Sequence, residues 1–182
     1  VMEGPESRAA AARRSSQSKR QKSEMSILAL LEADHAFVPL AMVVSTIGVV
    51  SLGSGVMAAR KKFNVPYPNM YAVCIKDANG KPVSTCANPE DVDKFNCVQR
   101  GHQNALESHY SMLMLTAVGG ILFPRAASAG LMSWTFGAVM YSKNYSNRGA
   151  DKRNGGLALF KYLGLLTLLC LNLATSYQIY TK

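Results

Sequence analysis

Four stretches without a single Asp, Glu, Lys or Arg, at residues 36–59, 110–124, 126–142 and 162–181, limit what this chain can fold into. A hydrocarbon core about 30 Å thick is crossed by about 20 apolar residues in helix. A soluble helix carries one apolar stripe, whereas residues 36–59 are apolar all round and hold Ser45, Thr46, Gly48, Gly53 and Gly55, small residues that let membrane helices approach closely. Charges gather between the stretches: residues 1–35 hold 6 basic and 5 acidic side chains, residues 60–109 hold 7 and 5, and residues 125–153 hold 5 and 1. Only Lys161 and Lys182 stand outside these groups. Charged residues make up 17% of the chain, below the roughly 25% of a soluble domain. The pattern predicts an all-α integral membrane protein, a four-helix bundle with helices at about 36–59, 89–123, 126–145 and 156–180.

The second helix needs its own argument, because its charge-free part before Pro124 is short for a span. Asn88-Pro89-Glu90-Asp91 supplies a helix start with a capping Asn, Pro at the first helical position and acids in the first turn. The expected helix is therefore long, with a polar first half that reaches into the membrane.

Residues 1–24 carry Arg8, Arg13, Arg14, Lys19, Arg20 and Lys22 with almost no large apolar side chain, a polar basic extension that cannot bury enough surface to fold alone. Residues 25–182 form the expected membrane domain. Loops one and three share a side and both are basic, which places them in the cytoplasm and both termini across the membrane. The tail's cations argue the other way, but most lie beyond the roughly 15–20 residues nearest the span that count most. Cys74 and Cys86 in loop one can pair in an oxidising compartment. With Cys97 and Cys170 they fit no zinc spacing, so no metal is expected. The net charge of +9 suits an anionic membrane surface, and no nucleic-acid partner is expected.

Ionisable groups inside membrane helices are expensive and default to function. Arg100, Asn104 and Glu107 stand at i, i+4 and i+7, on one helix face two turns long. They can recognise a small zwitterion, or the Arg and Glu can merely satisfy each other between helices. Tyr141 and Tyr145, one turn apart, precede Arg148, Lys152 and Arg153. Such residues serve as interfacial anchors and topology signals, or as a ligand site. Arg60-Lys61-Lys62 ends the first helix, where cations suit the helix dipole.

The runs Ala59-Arg60-Lys61-Lys62-Phe63, Tyr67-Pro68, Met70-Tyr71, Phe95-Asn96-Cys97-Val98-Gln99-Arg100, His102-Gln103-Asn104 with Glu107, Ala117-Val118-Gly119-Gly120 and Pro124-Arg125 resemble the MAPEG superfamily, membrane-associated proteins of eicosanoid and glutathione metabolism. The likeness is to the third type of microsomal glutathione transferase. It implies a homotrimer of four-helix bundles in the endoplasmic reticulum or another organellar membrane, mitochondrial and plastid membranes included. It also implies glutathione, bound between protomers as co-substrate, and conjugation to a lipophilic electrophile or reduction of a lipid hydroperoxide. Arg100, His102, Asn104 and Glu107 would contact glutathione from the second helix, with Tyr141 and Tyr145 from the third and Arg60 from a neighbour's first helix. Arg153 matches the catalytic arginine: only a thiolate is nucleophilic, and a guanidinium favours it by about 1.4 kcal/mol per pKa unit.

Three departures favour a rival, a non-catalytic accessory subunit of a larger organellar membrane complex. Relatives place a tyrosine directly after the glutamate, where this chain has Ser108-His109 and brings Tyr110 one position later. His109 is expected at the interface. Loop one is long, and the 24-residue extension is extra.

Overall fold

A computed structural model describes residues 33–80, 82–86 and 88–181, together with Ser16 and Gln17. The chain divides into two compact units, Val1–Ala36 and Phe37–Lys182. In the first, Ala33–Ala36 forms one 3-10 turn; the expectations for the basic extension fall almost entirely outside the described residues.

The second unit is a bundle of four helices: α1 (Phe37–Phe63), α2 (Val92–Gly119), α3 (Pro124–Arg148) and α4 (Phe160–Tyr180). Each overlaps its expected span, and the differences lie at the ends. α1 runs on through Arg60-Lys61-Lys62 and stops at Asn64, whose φ of 54° breaks the helix while Val65 N–H returns to Arg60 O at 3.0 Å. This is the left-handed cap with its six-to-one bond. α2 ends at Gly119 rather than 123, because a turn through Gly120 and Ile121 closes it early. Pro124 then opens α3, where its missing N–H costs nothing. Residues 89–91 and 156–159 are 3-10 turns leading into α2 and α4.

α2 and α3 form the centre, packing on each other and on both α1 and α4. The contacts fix direction. Ser45 meets His109 while Gly53 lies beside His102, so α1 and α2 are antiparallel. Lys161 reaches Asn104 and Asn172 reaches Leu115 O, so α2 and α4 are parallel. Loop one and loop three therefore lie at the same end.

The core is built from Val49, Ala105, Met112, Leu131, Trp134, Ala138 and Leu168. Glycines set the α3–α4 spacing: a Cβ on Gly137 would lie 1.9 Å from Lys161 N, and one on Gly164 would lie 2.4 Å from Gly130 O. Membrane helices associate through such small-residue seams because no hydrophobic force drives them together in lipid.

Outward-facing positions of α1 and α4 are large and apolar, among them Leu40, Ile47, Val50, Leu166, Leu173 and Ile179. Among the described residues, the segments carrying α1 and α4 are the two helices long and apolar enough to cross a membrane by composition. α2 and α3 miss that mark because their sequences hold the polar groups described below.

His109 departs from expectation. It is 9% exposed inside the bundle rather than interfacial, stacked on Trp134 with ring centroids 5.8 Å apart and planes 16° from parallel. Its Nε2 lies 3.1 Å from Ser45 Oγ, which lies 2.7 Å from Thr135 Oγ1, which donates to Leu131 O at 2.8 Å. Each group has one proton to give along this chain, so a neutral imidazole protonated on Nε2 satisfies every member. It stitches α1, α2 and α3 together.

Loop one folds into a hairpin, β1 (Cys74–Lys76) antiparallel to β2 (Pro82–Ser84), with Ile75 opposite Val83. Gly80, at φ 78°, closes its turn by donating to Asp77 O at 2.9 Å. Asn96 of α2 clasps the strand's approach: its Oδ1 accepts from Ala72 N–H at 2.8 Å and its Nδ2 donates to Ala72 O at 2.9 Å. No disulfide forms among the described residues. Cys74 is exposed and Cys86 is buried with Phe63, Val65, Ala72 and Phe95.

Candidate functional site

Helical periodicity on α2 divides its polar residues between two directions. Arg100 and Glu107 meet on the outward face, Nη1 donating to Oε1 at 3.0 Å, with side chains 43% and 47% exposed. Asn104, between them on the same face, has its Oδ1 held by Lys161 Nζ of α4. His102 turns toward α1, half-buried against Gly53. Two residues either way is about 200° around a helix, so His102 does not join Arg100 and Asn104 within one protomer.

α3 brings in the tyrosines. Tyr141 and Tyr145 pack edge to face at 5.8 Å, and Lys161 Nζ sits 4.6 Å above the Tyr141 ring. The guanidinium of Arg153 lies 6.0 Å from the centre of Tyr145, with Nη1 donating to Ala150 O. Its charge also reaches Tyr141. Lys152, its neighbour in sequence, is exposed. Loop three is held in place from α3: Asn144 Nδ2 donates to Gly155 O at 2.9 Å, and Gly149, at φ 83°, turns the chain out of the helix.

These contacts run from Asn104 through Lys161, Tyr141 and Tyr145 to Arg153, with the Arg100–Glu107 pair on the same face of α2 as Asn104. Beside it opens a cleft of about 620 Å³ lined by Tyr71, Asp93, Asn96, Cys97, Arg100, Tyr145, Gly149 and Ala150. That volume falls within the range of small-ligand sites. Tyr71 bounds it from loop one, and its hydroxyl bonds Gln103 Oε1. Loop one, held to α2 by the Asn96 clasp on Ala72, thus contributes Tyr71 to the wall of the cleft.

Arg60 stands apart. Its guanidinium lies over Tyr67 at 4.4 Å and near Phe95 at 5.4 Å, and Nη1 donates to Asn69 O at 2.8 Å. Within its own chain it anchors loop one. Two groups outside the spans are perturbed for plain reasons: the Lys94 hydrogen bond, at 2.8 Å, holds the Asp91 carboxyl below its ordinary range, and burial pushes the Cys86 thiol up.

Sequence reasoning missed two members of this arrangement. Asn96 was legible only as part of a motif, since nothing local shows that an amide will clasp a distant strand. Lys161 did carry a signal: it is the one charged residue in the α4 sequence. A second cavity, about 590 Å³, lies between the starts of α1 and α3 and is lined by Phe37, Leu40, Ala41, Val44, Arg125, Ser128, Ala129 and Met132. It belongs to the opposite end of the bundle.

An all-helical bundle with apolar outer helices and a polar central pair is the architecture of a membrane protein with an internal site. The MAPEG family model matches residues 38–174, which takes in α1 to α3, most of α4 and every member of the polar cluster, and the chain belongs to that family.

Proposed function

We propose that this protein is a membrane-bound glutathione transferase or peroxidase. The observation that carries the reading is a cleft lined by Arg100 and Tyr145, each of which contacts further members of the motif: Arg100 pairs with Glu107, and Tyr145 packs on Tyr141 and lies beneath Arg153, while Asn104 shares the Arg100 face of α2. Arg100 and Asn104 offer donors to a ligand carboxylate, and Glu107 offers an acceptor to its ammonium group. The tyrosines form the floor, and Arg153 supplies a permanent positive charge where the thiol lies.

The chemistry follows from thiol acidity. A thiol with pKa near about 8.5 is mostly protonated at neutral pH, and each unit of depression beside a guanidinium represents about 1.4 kcal/mol. The proton leaves to water. In conjugation, the thiolate attacks an electrophilic carbon and expels or relocates its electron pair. In reduction, it attacks a hydroperoxide oxygen, releasing the alcohol and a sulfenic acid that a second glutathione converts to disulfide and water.

In this reading all four helices cross the membrane, and the protein is a homotrimer. An ion pair as exposed as Arg100 and Glu107 on a membrane helix is costly unless it faces protein or water, and a second copy covers it. Arg60 of a neighbouring copy then completes the site. The membrane is the endoplasmic reticulum or another organelle's, with the basic loops one and three on the cytoplasmic side.

The test is titration of the purified protein in detergent with glutathione, reading thiolate absorbance in the ultraviolet together with particle mass. Saturable thiolate formation on a trimer is expected. Arg153→Ala should abolish the thiolate signal while leaving binding largely intact. A wild-type particle that is a monomer and binds no glutathione would refute the enzyme reading and favour an accessory subunit.

A further inference from the structure

A lone lysine in an otherwise uncharged membrane helix needs a reason. Lys161 lies in the first turn of α4, half-buried, with its backbone pressed against Gly137 of α3. Its Nζ donates to Asn104 Oδ1, sits over the Tyr141 ring at 4.6 Å, and lies close enough to Glu107 for their charges to interact. All three neighbours belong to the candidate ligand set. No acid is hydrogen-bonded to the ammonium among the described residues.

The contact with Asn104 has a consequence for polarity. An ammonium can only donate, so the amide atom facing it is the oxygen. Nδ2 is thereby turned away from Lys161. A glutamine or threonine at position 161 could accept as well as donate and would leave the amide free to flip. Lys161 thus fixes Asn104 as a donor, and it retains two ammonium hydrogens of its own. Together with Arg100 and Arg153, the site then holds three cations and the Asn104 amide as a further donor, against two carboxylates, Glu107 and the Asp93 that lines the cleft. That excess suits an anionic ligand.

We propose that Lys161 is a further ligand-binding and positioning residue of this site: it holds the Asn104 amide donor-outward and adds a further cation that receives a carboxylate of the bound peptide. The proposal rests on the glutathione reading above and deepens it. It assigns the carboxylate contact to α4, a helix from which the sequence supplied no ligand.

The test separates charge from shape. Lys161→Met keeps the apolar stem and removes the ammonium, while Lys161→Arg keeps a cation and donors. Glutathione affinity is measured by calorimetry on the detergent-solubilised protein, with thermal midpoints recorded in parallel. The expected result is about a tenfold or greater loss for Lys161→Met, the scale of one charge-assisted hydrogen bond. Its midpoint should be unchanged or raised, since an apolar side chain suits that buried position better. Lys161→Arg should remain within a few-fold of wild type. Asn104→Asp, which keeps a partner for Lys161 but presents no donors, should lose affinity with the fold intact. Wild-type affinity in Lys161→Met would overturn the proposal and leave the glutathione reading standing. So would a parallel loss of affinity and midpoint in both Lys161 variants, which would mark the residue as packing alone. A wild-type protein that binds no glutathione would overturn both readings at once.

Discussion

Gly137→Ala is the perturbation that ties packing to the site most directly. An added Cβ would lie 1.9 Å from Lys161 N and 2.6 Å from both Lys161 Cα and Phe160 C. These are backbone atoms, so no rotamer change relieves the clash. Moving from 1.9 Å to an ordinary contact of about 3.4 Å makes α4 retreat by roughly 1.5 Å at this crossing. Overpacking of this kind costs about 1–3 kcal/mol, and the backbone clash places it at the upper end. Gly53→Ala is the control, because its Cβ would stand 3.5 Å from the His102 ring, an ordinary contact with a side chain that can give. There the gain in helix propensity, about 0.5–1 kcal/mol, dominates. Both variants share that gain, so they should differ by the overpacking cost, about 2–3 kcal/mol in detergent unfolding. The same retreat of α4 draws Lys161 Nζ off Asn104, so glutathione affinity should fall in Gly137→Ala and hold in Gly53→Ala. Equal unfolding midpoints for the two would refute the tight-seam argument.

Three further outcomes are expected. Ser45→Ala removes the bond to His109 Nε2 in the bundle core, and interhelical hydrogen bonds in membranes are worth about 1 kcal/mol; unfolding of the variant measures it, and an unchanged midpoint would show that this bond does not hold the helices together. Asn96→Ala removes both bonds of the clasp on Ala72 and should loosen loop one, which limited proteolysis within the Cys74–Ser84 hairpin would reveal, while the bundle's midpoint moves little. Cys74 should be alkylated well before Cys86, because Cys86 is buried and its thiol is pushed above its ordinary range, so less of it is thiolate at a given pH; mass spectrometry of partly labelled protein decides the order.

The four helices were legible because each uncharged stretch is long and apolar enough to need burial, whether in lipid or against its neighbours. Helix ends were less so. Asn64 and Gly120 end their helices by local hydrogen bonds that a hydropathy pattern does not weigh, and Pro124, read as a breaker, starts the next helix. The Arg100, Asn104 and Glu107 face was legible from spacing alone, and Arg100 and Glu107 do pair across two turns. Spacing also predicts that His102 leaves that face; only the motif had placed it there. The Asn96 clasp, the hairpin in loop one and the inward turn of His109 depend on partners 24, 12 and 64 residues away in sequence. Local patterns carry no information about them.

The two polar systems on α2 answer different demands. His109, Ser45 and Thr135 form a closed chain in which every proton has an acceptor, so it needs nothing from outside and can serve only to hold three helices in register. The outer system is open. Arg100 and Glu107 are about half exposed, Asn104 is oriented by a donor-only partner, and Arg153 faces two tyrosine rings with no carboxylate bonded to it among the described residues. A network whose members are all partnered stabilises a fold, since a buried polar group left without a partner is costly; the outer system is the one that the proposed ligand would complete. On α2, His109 lies only two to nine residues from Glu107, Asn104 and Arg100, so the bonds that hold His109 in register also hold the stretch of helix that carries the outer system. Loss of the His109 chain should thus weaken glutathione binding even though His109 faces away from the cleft.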